Sequence, residues 1–274
     1  MEIETELRTA IEKNQLELYY QPKVECGTGR PVSLEALLRW LHPEKGMVQP
    51  GEFIKIAEET GLIIPLGDWV LRQACSYIRK LDDAGLRFPV AVNISTQQFD
   101  QADFADTVLE IVRESGIDAS RMEIEITESM AMSNPERALE QFRKLKRARI
   151  RIAIDDFGTG YSNLSQLNRL PFDVFKIDRS FVKAISDKGD SHGRAIVRTI
   201  LAMARSLDYQ TVAEGVETEE QQRFLAELGC TFAQGFLFAK PMPADATFAW
   251  LAKGMAELEI KVGSAAGAKS SRAA

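Results

Sequence analysis

Histidine is nearly missing from this chain. Two residues, His42 and His192, among 274 cannot build a His-rich zinc centre, an HD-type cluster or an HExxH helix, so any metal held here is held mainly by oxygen. Cysteine is scarce as well. Cys26, Cys75 and Cys230 are odd in number and lack CxxC spacing, which argues against a disulfide framework and predicts free thiols in a reducing compartment. No apolar run approaches the ~18 residues of a membrane span, and the run Gly61–Gly67 stops at Asp68. The first turns alternate acids with apolar residues, the pattern of an amphipathic helix and not of a signal peptide. A basic excess is also absent. The 34 Lys and Arg stand against 40 Asp and Glu, a net charge of -6, which is the wrong sign for coating a DNA or RNA duplex.

What is present is an ordinary globular composition, 45% apolar and 27% charged, arranged as short β-type runs alternating with longer helical patterns. Strands are predicted at Leu16–Pro22, Val32–Trp40, Pro89–Ser95, Met122–Thr127, Arg151–Asp156, Val174–Asp178, Thr211–Val216 and Thr231–Phe238. Helical patterns fall at Gly51–Ala57, Gly67–Ala84, Ala102–Ser115, Pro135–Ala148, Arg194–Leu207 and Glu219–Leu228. Eight strands in one alternation, with no Pro/Gly/Ser linker between them, favour a closed α/β barrel over two domains. The first connection, Gly27–Pro31, is too short for a helix. It predicts a hairpin, and so an antiparallel first strand. The end of the chain, Gly263–Ala274, is small, polar and aperiodic and reads as a disordered tail.

Side chains alternate across a strand. In Met122–Glu128 the aliphatic Met122, Ile124 and Ile126 oppose Glu123, Glu125 and Thr127; Val90–Ser95 and Ile150–Asp156 divide in the same way. The aliphatic faces should meet outer helices and the polar faces should point into the barrel. Glu35, Asn93, Glu125, Asp155 with Asp156, Lys176 and Glu214 each fall late in a different predicted strand, at the carboxyl rim where barrel active sites are built. Any one of them alone is more simply read as a strand-end residue that reaches solvent or caps a helix. Together they bring five negative charges to one mouth. Lys176 returns one, and the remaining four match two divalent cations. An all-oxygen donor set suits Mg²⁺ or Mn²⁺, and paired ions are the usual apparatus for hydrolysing phosphoryl esters.

These residues stand in a series of motifs: Tyr20-Gln21-Pro22, Glu35-Ala36-Leu37-Leu38-Arg39-Trp40, Val92-Asn93-Ile94-Ser95, Glu125-Ile126-Thr127-Glu128, Asp155-Asp156-Phe157-Gly158-Thr159-Gly160-Tyr161-Ser162, Lys176-Ile177-Asp178, Ala213-Glu214-Gly215-Val216-Glu217 and Gln234-Gly235-Phe236. The series resembles the EAL domain family of cyclic di-GMP phosphodiesterases, in order and over most of the chain. The resemblance implies a TIM-like (β/α)8 barrel with an antiparallel first strand over residues 1–260, the tail taking 261–274. It implies hydrolysis of cyclic di-GMP to linear pGpG with Mg²⁺ or Mn²⁺, two ions per site, in the bacterial cytoplasm. Glu35, Asn93, Glu125 and Asp155 resemble the ligands of one ion, and Asp155, Asp156 and Glu214 those of the second. Lys176 resembles the lysine beside the attacking water, and Glu214 has a second reading as a base. Gln21, Leu37 and Arg39 resemble substrate contacts, Arg39 being suited to a phosphate oxygen. Glu217 and Gln234 resemble supporting residues. Glu128 resembles the acid that steadies the Asp155–Leu164 loop, which in the family couples metal binding to dimerisation. A homodimer and a parent protein with a sensor or GGDEF domain are implied in the same way.

Two rivals remain open on sequence: a noncatalytic cyclic di-GMP receptor that signals through partner contacts, and another metal-assisted barrel enzyme acting on a sugar phosphate or an enolate. Gly158-x-Gly160 is a poor dinucleotide fingerprint, since position 163 is Asn and two aspartates precede it. The basic run Arg143–Arg151 reads as a solvated helix face. Trp40 reads as packing, and His42 and His192 as surface or loop residues.

Overall fold

The structure, a computed structural model, describes residues 2–158, 169–185 and 191–254. The expected tail at 261–274 and residues 159–164 of the expected loop lie outside the described residues. Helix α1 (Glu2–Glu12) leads into strand β1 (Leu16–Glu25), which turns back as β2 (Pro31–His42). The two pair antiparallel from Leu16 opposite Trp40 to Val24 opposite Pro31, as the short connection predicts. Strand β3 (Gly46–Val48) folds back on the end of β2. Helices α2 (Pro50–Glu59) and α3 (Ile63–Asp83) then carry the chain to β4 (Val90–Asn93), parallel to β2.

From there the alternation is regular. A short α4 (Thr96–Phe99) and α5 (Phe104–Ser115) precede β5 (Met122–Thr127); α6 (Glu128–Ser133) and α7 (Pro135–Arg147) precede β6 (Arg151–Phe157). Strand β7 (Val174–Ile177) is followed by α8 (Arg179–Ala184) and α9 (Ser191–Ser206), then β8 (Gln210–Ala213), α10 (Glu219–Glu227) and β9 (Phe232–Ala233). Strands β4 to β9 are parallel to their neighbours, and β9 closes antiparallel on β1. The result is a closed eight-stranded α/β barrel with one reversed strand. A two-residue β10 (Met242–Pro243) pairs antiparallel with Tyr19 and Tyr20 of β1.

The alternation of side chains decides what meets what. Val90, Val92, Ile94, Met122, Ile124, Ile126, Ile150, Ile152 and Ile154 are all buried in one large core between barrel and helices. The opposite faces point inward. There Ala153, Val174 and Val212 form a small separate apolar cluster with Phe232, which fills the barrel below the polar mouth. A third cluster, of Leu7, Trp40, Phe53, Leu66 and neighbours, packs α1, α2 and the start of α3 against the far end of β2. Trp40 is thus a packing residue, 1% exposed.

Three details differ from expectation. His42 is buried, because β2 continues beyond the barrel to pair with β3 and carries it beside the Glu6 carboxylate; its Nδ1 accepts the backbone N–H groups of Glu44 and Lys45, each at 3.1 Å. For the same reason Glu35 lies near the middle of its strand and not late in it; only Leu34–Ala36 pair with the next barrel strand. The third is the set of short helices α4, α6 and α8, which the sequence periodicity does not show. The three cysteines are free and buried. Among the described residues no helix is long and apolar enough to cross a membrane.

Candidate active site

Lys176, on β7, is the centre of the site. Its side chain is 1% exposed, and its Nζ lies 2.6 Å from Glu125 Oε2, 2.7 Å from Glu214 Oε1, 2.9 Å from Asp155 Oδ2 and 3.8 Å from Glu35 Oε1. Four carboxylates from β2, β5, β6 and the residue after β8 therefore converge on one ammonium. The register staggers them along the barrel: Glu35 lies opposite Ala91, two residues before Asn93; Asn93 lies opposite Glu125; and Asp155 lies opposite Thr127, two residues beyond Glu125.

Glu35 is held from both sides. Asn93 Nδ2 donates to its Oε1 at 2.7 Å and Gln234 Nε2 to its Oε2 at 2.6 Å. Gln234 Nε2 also donates to Gln21 Oε1 at 3.0 Å, and Gln21 Nε2 donates to the Ala239 carbonyl at 3.0 Å. Gln21 and Gln234, expected as a substrate contact and a supporting residue, thus belong to one hydrogen-bond chain that orients Glu35.

Consecutive residues of a regular strand point to opposite faces, so Asp155 and Asp156 could not both serve one site. A register shift between Ile154 and Phe157 breaks the alternation, and Asp156 has a left-handed backbone, φ 54°, which aspartate tolerates better than most residues. The Asp156 N–H donates to Asp155 Oδ1 at 2.8 Å. Two residues on, Gly158 has φ 91°, the conformation that needs glycine. Its N–H donates to Glu128 Oε2 at 3.3 Å. Glu128 thus holds the backbone at Gly158, where the described part of the expected loop ends.

Burial and charge pull against each other here. Burial by itself would raise Glu125, but the ammonium groups of Lys176 and Lys23 hold it down at about 2. Burial pushes Glu35 up despite Lys176, and pushes Glu214 up to about 8 against the same ammonium. Asp156 is raised by burial and then by the neighbouring charges of Asp155 and Asp178. Burial would lower Lys176, yet the surrounding carboxylates raise it well above the ordinary lysine value. The mouth thus holds negative charge that its own lysine does not neutralise.

Leu37 and Arg39 follow Glu35 on the same face of β2. Leu37 and Asn93 line a cavity of about 330 Å³ with Ile54, Leu66, Val70 and Gln98. Arg39 lies with its guanidinium 5.7 Å from the Tyr19 ring centroid and donates to the Leu38 carbonyl. Glu217 is placed differently: it is exposed, and among the described residues its backbone N–H, not its carboxylate, is engaged, by Gln221 Oε1 at 2.8 Å.

Two buried residues were not singled out from sequence. Lys23 and Glu123 are 1% and 4% exposed and pair with each other directly beneath Glu125. The signal was present, since Lys23 is two residues from Gln21 and Glu123 two from Glu125, each on an inward face. As an ion pair they cancel, so the formal count of five acids against Lys176 at the mouth is unchanged by them.

Among the described residues no three acids close a metal cage as the side chains stand; they turn instead toward Lys176. The donor set nevertheless fits divalent ions. It is oxygen throughout, it carries excess negative charge, Asn93 commits only its NH₂ to Glu35, and Gln234 Oε1 is buried beside Glu35 without a hydrogen-bond partner among the described residues.

Comparison with known proteins places this barrel. The EAL domain family model matches residues 4–241. The chain is 45% identical over 248 residues to the bifunctional diguanylate cyclase/cyclic di-GMP phosphodiesterase MucR of Pseudomonas aeruginosa, covering 90% of this chain and 36% of that protein. It is 42% identical over 248 residues to the cyclic di-GMP phosphodiesterase PdeR of Escherichia coli, covering 90% and 37%. The chain therefore spans about a third of the length of these curated relatives. A solved structure described as PaMucR phosphodiesterase, c-di-GMP complex, superposes with a TM-score of 0.87 at 44% identity, covering 90% of this chain and all of that one. With the reversed first strand, the acids gathered on Lys176 and a match over nearly all of the described barrel, the chain belongs to the EAL domain family.

Proposed function

We propose that this chain hydrolyses one phosphodiester of cyclic di-GMP, releasing linear pGpG. The observation that supports this most is the convergence of Glu35, Glu125, Asp155 and Glu214 within 4.0 Å of one buried ammonium, in a family whose named relatives act on this nucleotide.

Glu35, Asn93, Glu125 and Asp155 would hold one Mg²⁺ or Mn²⁺, and Asp155, Asp156 and Glu214 a second. Bound there, divalent ions supply a lower pKa for water and positive charge for the leaving oxygen. The chain's own residues do the rest. Lys176 holds the acids in register and offers its N–H groups to the attacking oxygen. Glu214, whose affinity for a proton burial raises, is suited to take the proton released as that oxygen attacks. Asn93 and Gln234 orient Glu35. Arg39 is placed on the Glu35 face of β2 to meet a non-bridging phosphate oxygen, and the cavity beside Leu37 offers apolar surface to a base. A homodimer, a cytoplasmic setting and a sensor or GGDEF domain in a longer parent protein fit this reading, which takes residues 1–260 as the catalytic unit.

The test is incubation of the purified chain with cyclic di-GMP and Mg²⁺ or Mn²⁺, with and without chelator, followed by product identification. The expected result is pGpG only when the metal is available. Tight nucleotide binding by folded protein without turnover in either metal would instead make this a receptor.

A further inference from the structure

The mouth stands on a buried column of charge. Arg151 Nε lies 3.4 Å from Glu123 Oε2, Glu123 Oε1 lies 2.7 Å from Lys23 Nζ, Lys23 Nζ lies 2.5 Å from Glu125 Oε1, and Glu125 Oε2 lies 2.6 Å from Lys176 Nζ. The signs alternate through five residues from half-exposed Arg151 to the mouth. Neither Lys23 nor Glu123 faces the mouth itself. An ion pair is seldom the most stable way to fill an interior, because each ion gives up its water. The rest of this interior shows the cheaper solution, in Ala153, Val174 and Val212.

We infer that Lys23 is a positioning residue for the metal site. It takes Glu125 Oε1 from below and thereby sets the rotation of that carboxylate, so that Oε2 is the oxygen presented to Lys176 and the mouth. Glu123 supplies the counter-charge that lets an ammonium stand there. Without Lys23, Glu123 and Glu125 would meet as like charges on one strand face, and Glu125 would turn away from its place. The inference rests on the reading of Glu125 as a metal ligand. Partners that orient a ligand carboxylate typically control metal affinity by about 10–100-fold.

The experiment compares wild-type protein, Lys23→Met and the double variant Lys23→Met/Glu123→Leu, all as the full chain stripped of metal. Mn²⁺ binding is measured by calorimetry, folding by thermal denaturation, and kcat and KM with cyclic di-GMP. Lys23→Met leaves Glu123 and Glu125 one cation short, with only Arg151 and Lys176 at their other oxygens, and is expected to lose both stability and Mn²⁺ affinity. The double variant removes the uncompensated charge, so its Tm is expected to return toward wild type, while its Mn²⁺ affinity stays about 10–100-fold reduced and kcat falls with it. Recovery of Mn²⁺ affinity and kcat together with Tm in the double variant would overturn the inference, leaving Lys23 a partner for Glu123 and nothing more. Unchanged Mn²⁺ affinity in Lys23→Met would also overturn it. A wild-type chain that binds no Mn²⁺ would bring down the ligand reading itself, and the wild-type titration alone distinguishes that failure from the other two.

Discussion

Lys176 is one positive charge among four carboxylates, and that ratio makes it the most informative residue to remove. With Lys176→Met the acids lose their common donor, so metal-free protein should be less stable while the gain in Tm on adding Mn²⁺ grows. Turnover should fall by about 10²–10⁴-fold with KM changed far less, because a donor aimed at the attacking oxygen acts mainly in the transition state. Equal losses in binding and rate would remove Lys176 from the chemistry. Glu35→Gln keeps the shape of the side chain but turns one of its accepting oxygens into a donor facing Asn93 or Gln234. It should abolish measurable hydrolysis, and turnover near the wild-type rate would exclude Glu35 as a ligand.

The elements show how polar residues at strand ends divide their work. Ser95 caps α4, Thr127 caps α6 and Asp178 caps α8, each accepting a backbone N–H of the following turn. Two residues earlier on the same face stand Asn93, Glu125 and Lys176. The residue inside the strand serves the site, and the one just beyond it starts a helix. Gln98 extends this at β4. Its Oε1 accepts from the Ser95 N–H and Oγ, and its amide lies over Gly67 of α3, where a Cβ would come within 1.7 Å of Nε2. Alanine for an interior helical glycine ordinarily stabilises by about 1 kcal/mol. Gly67→Ala should instead destabilise by about 1–3 kcal/mol, because the buried amide has to move. Urea denaturation of the metal-free protein measures it, and a stabilised variant would show that the amide has somewhere else to go.

For the whole molecule the unbalanced mouth links folding to metal. Ions that bind only the closed barrel stabilise it by about 2.7 kcal/mol at a hundred times Kd, roughly a 5–10 °C rise in Tm for a domain of this size. Mn²⁺ should raise Tm by that amount and chelator should reverse it. A Tm indifferent to Mn²⁺ and Mg²⁺ would contradict the proposed site.

The barrel was legible because its determinants are local. Period-two alternation in VAVNIS, MEIEIT and IRIAIDD assigns each side chain to the core or the interior before any strand is paired, and a five-residue connection leaves β1 and β2 no geometry but a hairpin. Glu125 and Asp155 were legible for the same reason, as inward residues near strand ends, whereas Glu35 was legible as inward but not in its place along β2. Strands β3 and β10 and helices α4, α6 and α8 were not, since runs of two to six residues are too short to show a period and owe their form to distant partners and caps. The bulge that departs from alternation at Asp155–Asp156, the burial of His42 by an overlong β2 and the pairing of Lys23 with Glu123 across 100 residues of sequence depend on which strands become neighbours and at what register. That is settled only when the ring closes, because the free energy of a buried charge depends on what stands opposite it and not on its place in the chain.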